Sequence, residues 1–167
     1  MVYYGLAYSH LNYCITTWGG APSSTLKPLI TLQKKNVRLI TFNDFKAHAN
    51  PLFYTLQMLT ITDVYKYNLA ILFHNIKNDK ITGTINLQYL NTIHNHNTRL
   101  ATSHNYYQPR ANTNLGKSTF STQGLKFWRT LPLHIKSLTL NIFKKEVKNI
   151  LVSKYELDWI FGFPTVR

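Results

Sequence analysis

The stretch Asp63-Val64-Tyr65-Lys66-Tyr67-Asn68-Leu69-Ala70-Ile71-Leu72-Phe73-His74-Asn75-Ile76-Lys77 decides the fold class. Tyr65, Leu69, Leu72, Phe73 and Ile76 recur at steps of three and four, the repeat of one buried helical stripe, and the remaining face is rich in Asn and Lys. Thr60 or Thr62 supplies its N-cap, and Pro51 opens a shorter helix running to about residue 59. Upstream, Leu26, Leu29, Ile30, Gln33, Val37 and Ile40 give a second stripe, with Ser24 as N-cap and Pro28 in the first turn. Further upstream, Tyr3, Leu6, Ala7, Leu11, Cys14, Ile15 and Trp18 predict one helix that stops at Gly19-Gly20. Three helices joined by short polar turns read as an all-α bundle over residues 1–77.

Downstream the pattern changes. Residues 78–123 are dominated by Thr, Asn, His and Gly, and no helical stripe persists for two turns. The segments 84–89 and 118–122 allow short strands, and a loop that orders on a partner fits equally. Order returns in residues 124–154, where Phe127 and Trp128 precede Leu131-Pro132. An amphipathic helix follows over 140–154, burying Phe143, Val147, Ile150 and Leu151. Residues 155–167 form a tail carrying Trp159, Phe161 and Phe163. The expected fold class is therefore mainly α, with an irregular middle segment and a C-terminal amphipathic helix.

Charge narrows the choice of partner. The 167 residues include 19 Lys and Arg against 6 Asp and Glu, a net charge of +13, with only 15% of residues charged. An average globular protein has roughly 25% charged residues, so the excess arises from missing acids. Such a chain cannot neutralise its cations internally, and its natural partners are polyanions. A hydrophobic content of 44% argues against intrinsic disorder. No apolar run approaches the roughly 18 residues of a membrane span, and no signal-peptide pattern follows Met1. Intracellular residence, nuclear or cytoplasmic alike, is the expectation.

The chemistry of candidate sites follows. Lys34, Lys35 and Arg38 cluster on the second helix, and Lys144, Lys145 and Lys148 on the last, so each helix offers several cations to a phosphate backbone. Arg99, Arg110, Lys117, Lys126 and Arg129 are interleaved with Tyr106, Tyr107, Phe127 and Trp128, a mixture that suits phosphates and unpaired bases. Core packing is the competing role for these aromatics, above all for Phe127 and Trp128. The acids are scattered, so no paired carboxylates hold the two metals that polymerisation needs, and Glu156 with Asp158 reads as a solvated pair. His94, His96 and His104 lack a cysteine or acid beside them, which favours hydrogen bonding over metal binding. Cys14, the single cysteine, rules out an internal disulfide and is expected to be buried and inert on its stripe. No cofactor, metal or catalytic residue is expected in this chain.

Taken in order, these segments resemble the C-terminal region of reverse transcriptases of non-LTR retrotransposons, of the jockey-like or LINE type. The matching stretches begin with Tyr8-Ser9-His10-Leu11-Asn12-Tyr13-Cys14 through Trp18-Gly19, then Leu32-Gln33-Lys34-Lys35 through Thr41. They continue with His48 through Phe53, Leu56, Leu59, Asp63-Val64-Tyr65 and Leu69-Ala70. Later matches are His94 through Asn97-Thr98-Arg99, Asn112 through Lys117, Phe120-Ser121, Gln123-Gly124, Trp128, Leu131-Pro132 and Phe143-Lys144-Lys145. The chain departs from the family pattern at His96, Asn112 and Arg129. The resemblance implies that residues 1–77 are a thumb-like helical bundle and that Met1 is internal to a longer protein whose fingers and palm lie upstream. It further implies part of an RNA-directed DNA polymerase of a transposable element. Such a part grips template-primer RNA, DNA or RNA–DNA hybrid and is no enzyme on its own. The alternative is a free-standing basic nucleic-acid-binding module of retrotransposon origin.

Overall fold

A computed structural model describes residues 3–78, 80–81, 87–93 and 105–160, with side chains described as far as Glu156. It is mainly helical, as the periodicity predicts. A π-helical turn, Tyr4–Tyr8, leads into α1 (Ser9–Asn12) and α2 (Ile15–Trp18). Then come α3 (Ser23–Ile40), α4 (Ala49–Thr55), α5 (Ile61–Lys77), α6 (Leu90–Ile93), α7 (Asn114–Ser118), α8 (Phe120–Thr130), α9 (Leu133–Lys136) and α10 (Leu140–Ile160).

Helix α5 is the post around which the others pack: α10, α8, α2, α1 and α3 all lie against it. Its predicted stripe is buried at Tyr65, Leu69 and Phe73, and Ile61, Val64, Ala70 and His74 are buried as well, so α5 is enclosed on more than one face. One hydrophobic core runs from Tyr3 to Tyr155 and includes Phe53, Trp128, Phe143, Val147 and Leu151. The N-terminal helices, the middle segment and the last helix therefore share a single interior. Gly124 lets α8 approach α5, because a Cβ there would overlap the Phe73 ring. On the α10 side, His74 stacks on Phe143 with centroids 4.3 Å apart. Its Nε2 lies 2.8 Å from the Leu138 carbonyl, which only accepts, so Nε2 carries the proton.

The predicted first helix is broken. Cys14 adopts a left-handed conformation with φ 48, and its side chain is exposed rather than buried on the stripe. The kink turns Ile15 into the core and frees the Tyr13 carbonyl to accept from Trp18 Nε1 at 2.8 Å. It leaves Leu6 70% and Tyr13 76% exposed. Helix α3 starts at Ser23 rather than after a Ser24 cap, because the Pro22 carbonyl accepts the amides of Thr25 and Leu26. Pro28 thus lies beyond the first turn, where its missing N–H leaves the Ser24 carbonyl without a helical donor.

Two helices end in Schellman caps without glycine. After α3, the amides of Phe42 and Asn43 return to the carbonyls of Leu39 and Arg38. After α4, those of Gln57 and Met58 return to Tyr54 and Phe53. Phe42 and Gln57 each take φ 52 as a result.

In the middle segment, 118–122 is helical and not a strand: Ser118 closes α7, and Phe120 opens α8 under Thr119. Thr113 caps α7 by accepting from the Gly116 amide at 3.1 Å. An antiparallel bridge pairs Tyr89 with Tyr106, and the predicted strand positions 84–86 lie outside the described residues. Helix α10 runs on to Ile160, past the predicted end at residue 154, and Tyr155 belongs to the core rather than to a tail. The reason is local: residues 140–160 keep the helical repeat, so Tyr155 falls below Leu151 on the buried face.

Candidate nucleic-acid interface

The roll of α3 is set by one buried polar side chain. Gln33, 1% exposed, donates through Nε2 to Tyr3 Oη and to the Leu59 carbonyl, each at 2.9 Å, and its Oε1 accepts from the Ile61 amide at 2.9 Å. With Gln33, Leu26 and Val37 inward, Lys35 is exposed and Lys34 and Arg38 are half-buried. Lys35 Nζ stands 5.8 Å above the Phe45 ring. Arg38 Nε donates to the Ala47 carbonyl at 2.7 Å, which ties the following loop to the helix. The same edge exposes Leu39, Phe42 and Phe45.

On α10, Phe143, Val147 and Leu151 face inward, which leaves Lys145 exposed and Lys144 and Lys148 half-buried. Lys144 and Lys148, four residues apart, are neighbours on one side of the helix. Lys148 closes a cavity of about 120 Å³ whose other walls are Tyr3, Tyr4, Tyr8, Met58, Leu59 and Tyr67. Tyr3 joins the two basic helices, since its hydroxyl meets Gln33 of α3 and its ring lines the cavity closed by α10. Burial pushes the Tyr8 hydroxyl up to about 12, reinforced by the neighbouring Tyr67, Tyr4 and Tyr3.

The other expected cations do not all join this surface. Lys117 lies in the last turn of α7, whose Ser118 carbonyl packs against Gly20. Lys117 is not among the residues that line the tyrosine cavity. Arg110 is exposed in the loop before α7, and Arg99 lies outside the described residues. Lys126 is exposed, whereas Arg129 is a brace, donating to Gln108 Oε1 at 3.2 Å and to the Tyr106 carbonyl at 3.3 Å. Trp128 and Tyr106 are core residues, and Tyr106 stacks on Tyr89 at 4.7 Å. Tyr107 is 39% exposed.

Sequence reasoning missed two features. The first is the tyrosine cavity, whose signal was the close spacing of Tyr3, Tyr4 and Tyr8. The second is Lys136, only 2% exposed, whose Nζ lies 5.6 Å over the Trp128 ring and donates to Asn105 Oδ1 at 3.1 Å. Lys77 caps the α9 turn by donating to the Lys136 carbonyl at 2.7 Å. Burial lowers the pKa of both lysines, and at Lys136 the Lys77 charge lowers it further.

Among the described residues, no three His, Cys, Asp or Glu side chains gather as metal ligands. His94, His96 and His104 lie outside them. Glu156 is exposed and hydrogen-bonds the Tyr54 hydroxyl, raising its pKa, while the Asp158 side chain is not among those described. No helix among the described residues is long and apolar enough to cross a membrane. Comparison with family models, with curated proteins and with solved structures returns no match.

Proposed function

We propose that this chain is the thumb and post-thumb part of a non-LTR retrotransposon reverse transcriptase, gripping template-primer nucleic acid through basic helices while the catalytic palm lies elsewhere. The observation that carries the reading is electrostatic. Against a net charge of +13, the described residues form one ion pair, Lys66 with Asp63 at 3.0 Å. Among the described side chains, the cations of α3 and α10 lack carboxylate partners, and a phosphate backbone supplies the missing negative charge. Lys34, Lys35 and the outer nitrogens of Arg38 are the contacts on α3, and Lys144, Lys145 and Lys148 those on α10. Contacts of this kind read the backbone and shape of a duplex rather than its sequence.

The test is a salt titration of binding to an RNA–DNA duplex. The logarithm of affinity should fall linearly with the logarithm of salt, by about 0.9 per phosphate contacted. The double variant Lys34→Gln, Lys35→Gln should reduce that slope by about 2. A flat dependence sinks the reading.

The continuous core from Tyr3 to Tyr155 favours a second reading, a free-standing basic module that folds and binds nucleic acid by itself. An open frame upstream of Met1 encoding an aromatic followed by two adjacent aspartates would favour the polymerase. A promoter and initiation site there, with no palm remnant, would favour the module.

A further inference from the structure

The π-helical turn Tyr4–Tyr8 is an uncommon backbone, and π-turns concentrate at functional sites. Here the turn draws three rings together. Tyr3 and Tyr4 meet edge-on with centroids 5.6 Å apart, Tyr4 and Tyr8 lie 5.2 Å apart, and Tyr3 and Tyr8 6.4 Å apart. Met58 and Leu59 come from the loop before α5, Tyr67 from α5 and Lys148 from α10, so one cavity is assembled from four separate parts of the chain. Tyr4 remains 37% exposed at its mouth.

The cavity's chemistry selects its guest. At about 120 Å³ it falls well below the roughly 300 Å³ of a site for a drug-sized molecule and is of the order of one planar base. Aromatic walls would also suit a quaternary ammonium, but the Lys148 charge repels a cation at that point. An aromatic ring that carries an anion satisfies both the phenol faces and the ammonium. Lys144, one turn along α10, continues the cationic rim, so an anion chain could run outward from Lys148.

We propose that the tyrosine cavity holds one unpaired nucleotide, its base among Tyr3, Tyr4, Tyr8 and Tyr67 and its phosphate on the Lys148 ammonium. Stacking of this kind is tolerant of base identity because every base offers a π-face. The proposal deepens the nucleic-acid reading above and rests on it for the source of the nucleotide, the frayed or single-stranded end of a bound strand. A free mononucleotide offers the same chemistry.

The full chain is tested with three probes at one salt concentration: a blunt RNA–DNA duplex, the same duplex with a short single-stranded overhang, and adenosine monophosphate. The overhang should tighten binding at least about ten-fold over the blunt end. Tyr4→Leu should remove that preference and leave blunt-duplex affinity unchanged. Lys148→Gln, which keeps the rings, should abolish the preference for adenosine monophosphate over adenosine in equilibrium dialysis, and it decides the matter if Tyr4→Leu fails to fold. Saturable, Lys148-dependent binding of adenosine monophosphate without an overhang preference supports the cavity with a free nucleotide as its guest. Equal affinity for both duplexes with no mononucleotide binding overturns the proposal, as does a preference that survives both substitutions. Failure of the blunt duplex to bind defeats the duplex grip alone, and the mononucleotide arm then decides for the cavity.

Discussion

Tyr155 of α10 donates its hydroxyl proton to Asp63 of α5 at 2.5 Å, across 92 residues of sequence. The same oxygen receives the Thr60 amide at 3.0 Å, and Thr60 Oγ1 donates to Asp63 Oδ2 at 2.7 Å. Thr60 and Asp63 occupy the N-cap and N3 positions of α5, where a capping box would normally close on the backbone. Here the phenol of another helix takes the place of the reciprocal backbone bond, so the cap of α5 is also a clasp for α10.

Removing that clasp with Tyr155→Phe keeps the ring against Phe53 but leaves the Thr60 amide unbonded and Asp63 short of a donor. Urea denaturation should show a loss of about 1–3 kcal/mol, with little change in the denaturant slope. A loss below about 0.5 kcal/mol would mean that water replaces the phenol without cost.

Alkaline pH should unfold the chain through its tyrosines. Burial raises the pKa of Tyr3, Tyr8, Tyr65, Tyr67 and Tyr155 above the ordinary 10.0. The unfolded chain releases these protons first, so their stabilisation is complete below pH 10 and is lost as pH climbs toward and beyond the value of about 12 at Tyr8. Lys77 and Lys136 act in the opposite sense. Their lowered folded values make the unfolded chain bind more protons, so their contribution improves as pH rises toward the ordinary 10.5. Melting temperature against pH should therefore rise gently on the approach to pH 10 and then fall, and Lys136→Met should flatten the rise without removing the fall.

Gly124→Ala places a methyl group where the Phe73 ring lies. The ring is fully buried among Trp128, Tyr106 and their neighbours and has little room to give, so a cost of about 1–3 kcal/mol is expected. Pairing it with Phe73→Leu should recover part of the cost of the single glycine change, which a double-mutant cycle measures directly.

Phe42→Gly should do the reverse. Phe42 sits at the left-handed position of the α3 cap with φ 52 and is 97% exposed, so its side chain gains little from packing. Glycine relieves the backbone strain, and a gain of about 0.5–1 kcal/mol in thermal or chemical unfolding is expected.

Helix α5 was readable because Tyr65, Leu69 and Phe73 repeat at the helical period, and α10 because Phe143, Val147 and Leu151 do. Gln33 was readable as well, standing on an apolar stripe where a polar residue needs partners. The break at Cys14 was hidden. Cys14 and Ile15 both continue the stripe, and only the docking of Ile15 and Trp18 against α5 chooses between a straight helix and a kinked one. The first turn of α8 was hidden for a similar reason: Gly124 and the Thr-rich start of the segment suppress local helix propensity, while packing on Phe73 restores it. At the interface, the basic faces of α3 and α10 could be read from the spacing of Lys34, Lys35 and Arg38 and of Lys144, Lys145 and Lys148. That Lys148 lines one cavity with Tyr8 and Tyr67 could not, because these residues share no periodicity.

The position of α10 has a consequence for how the chain is made. Phe53, Val64 and Phe73 are laid down first, and the surface that covers them, from Phe143 to Tyr155, is translated later. Helices α3 to α5 leave the ribosome without their lid, and at the usual 5–20 residues per second they wait roughly 4–20 seconds for it. During that interval their uncovered apolar faces are open to aggregation. A chain truncated before residue 140 would remain in that condition permanently.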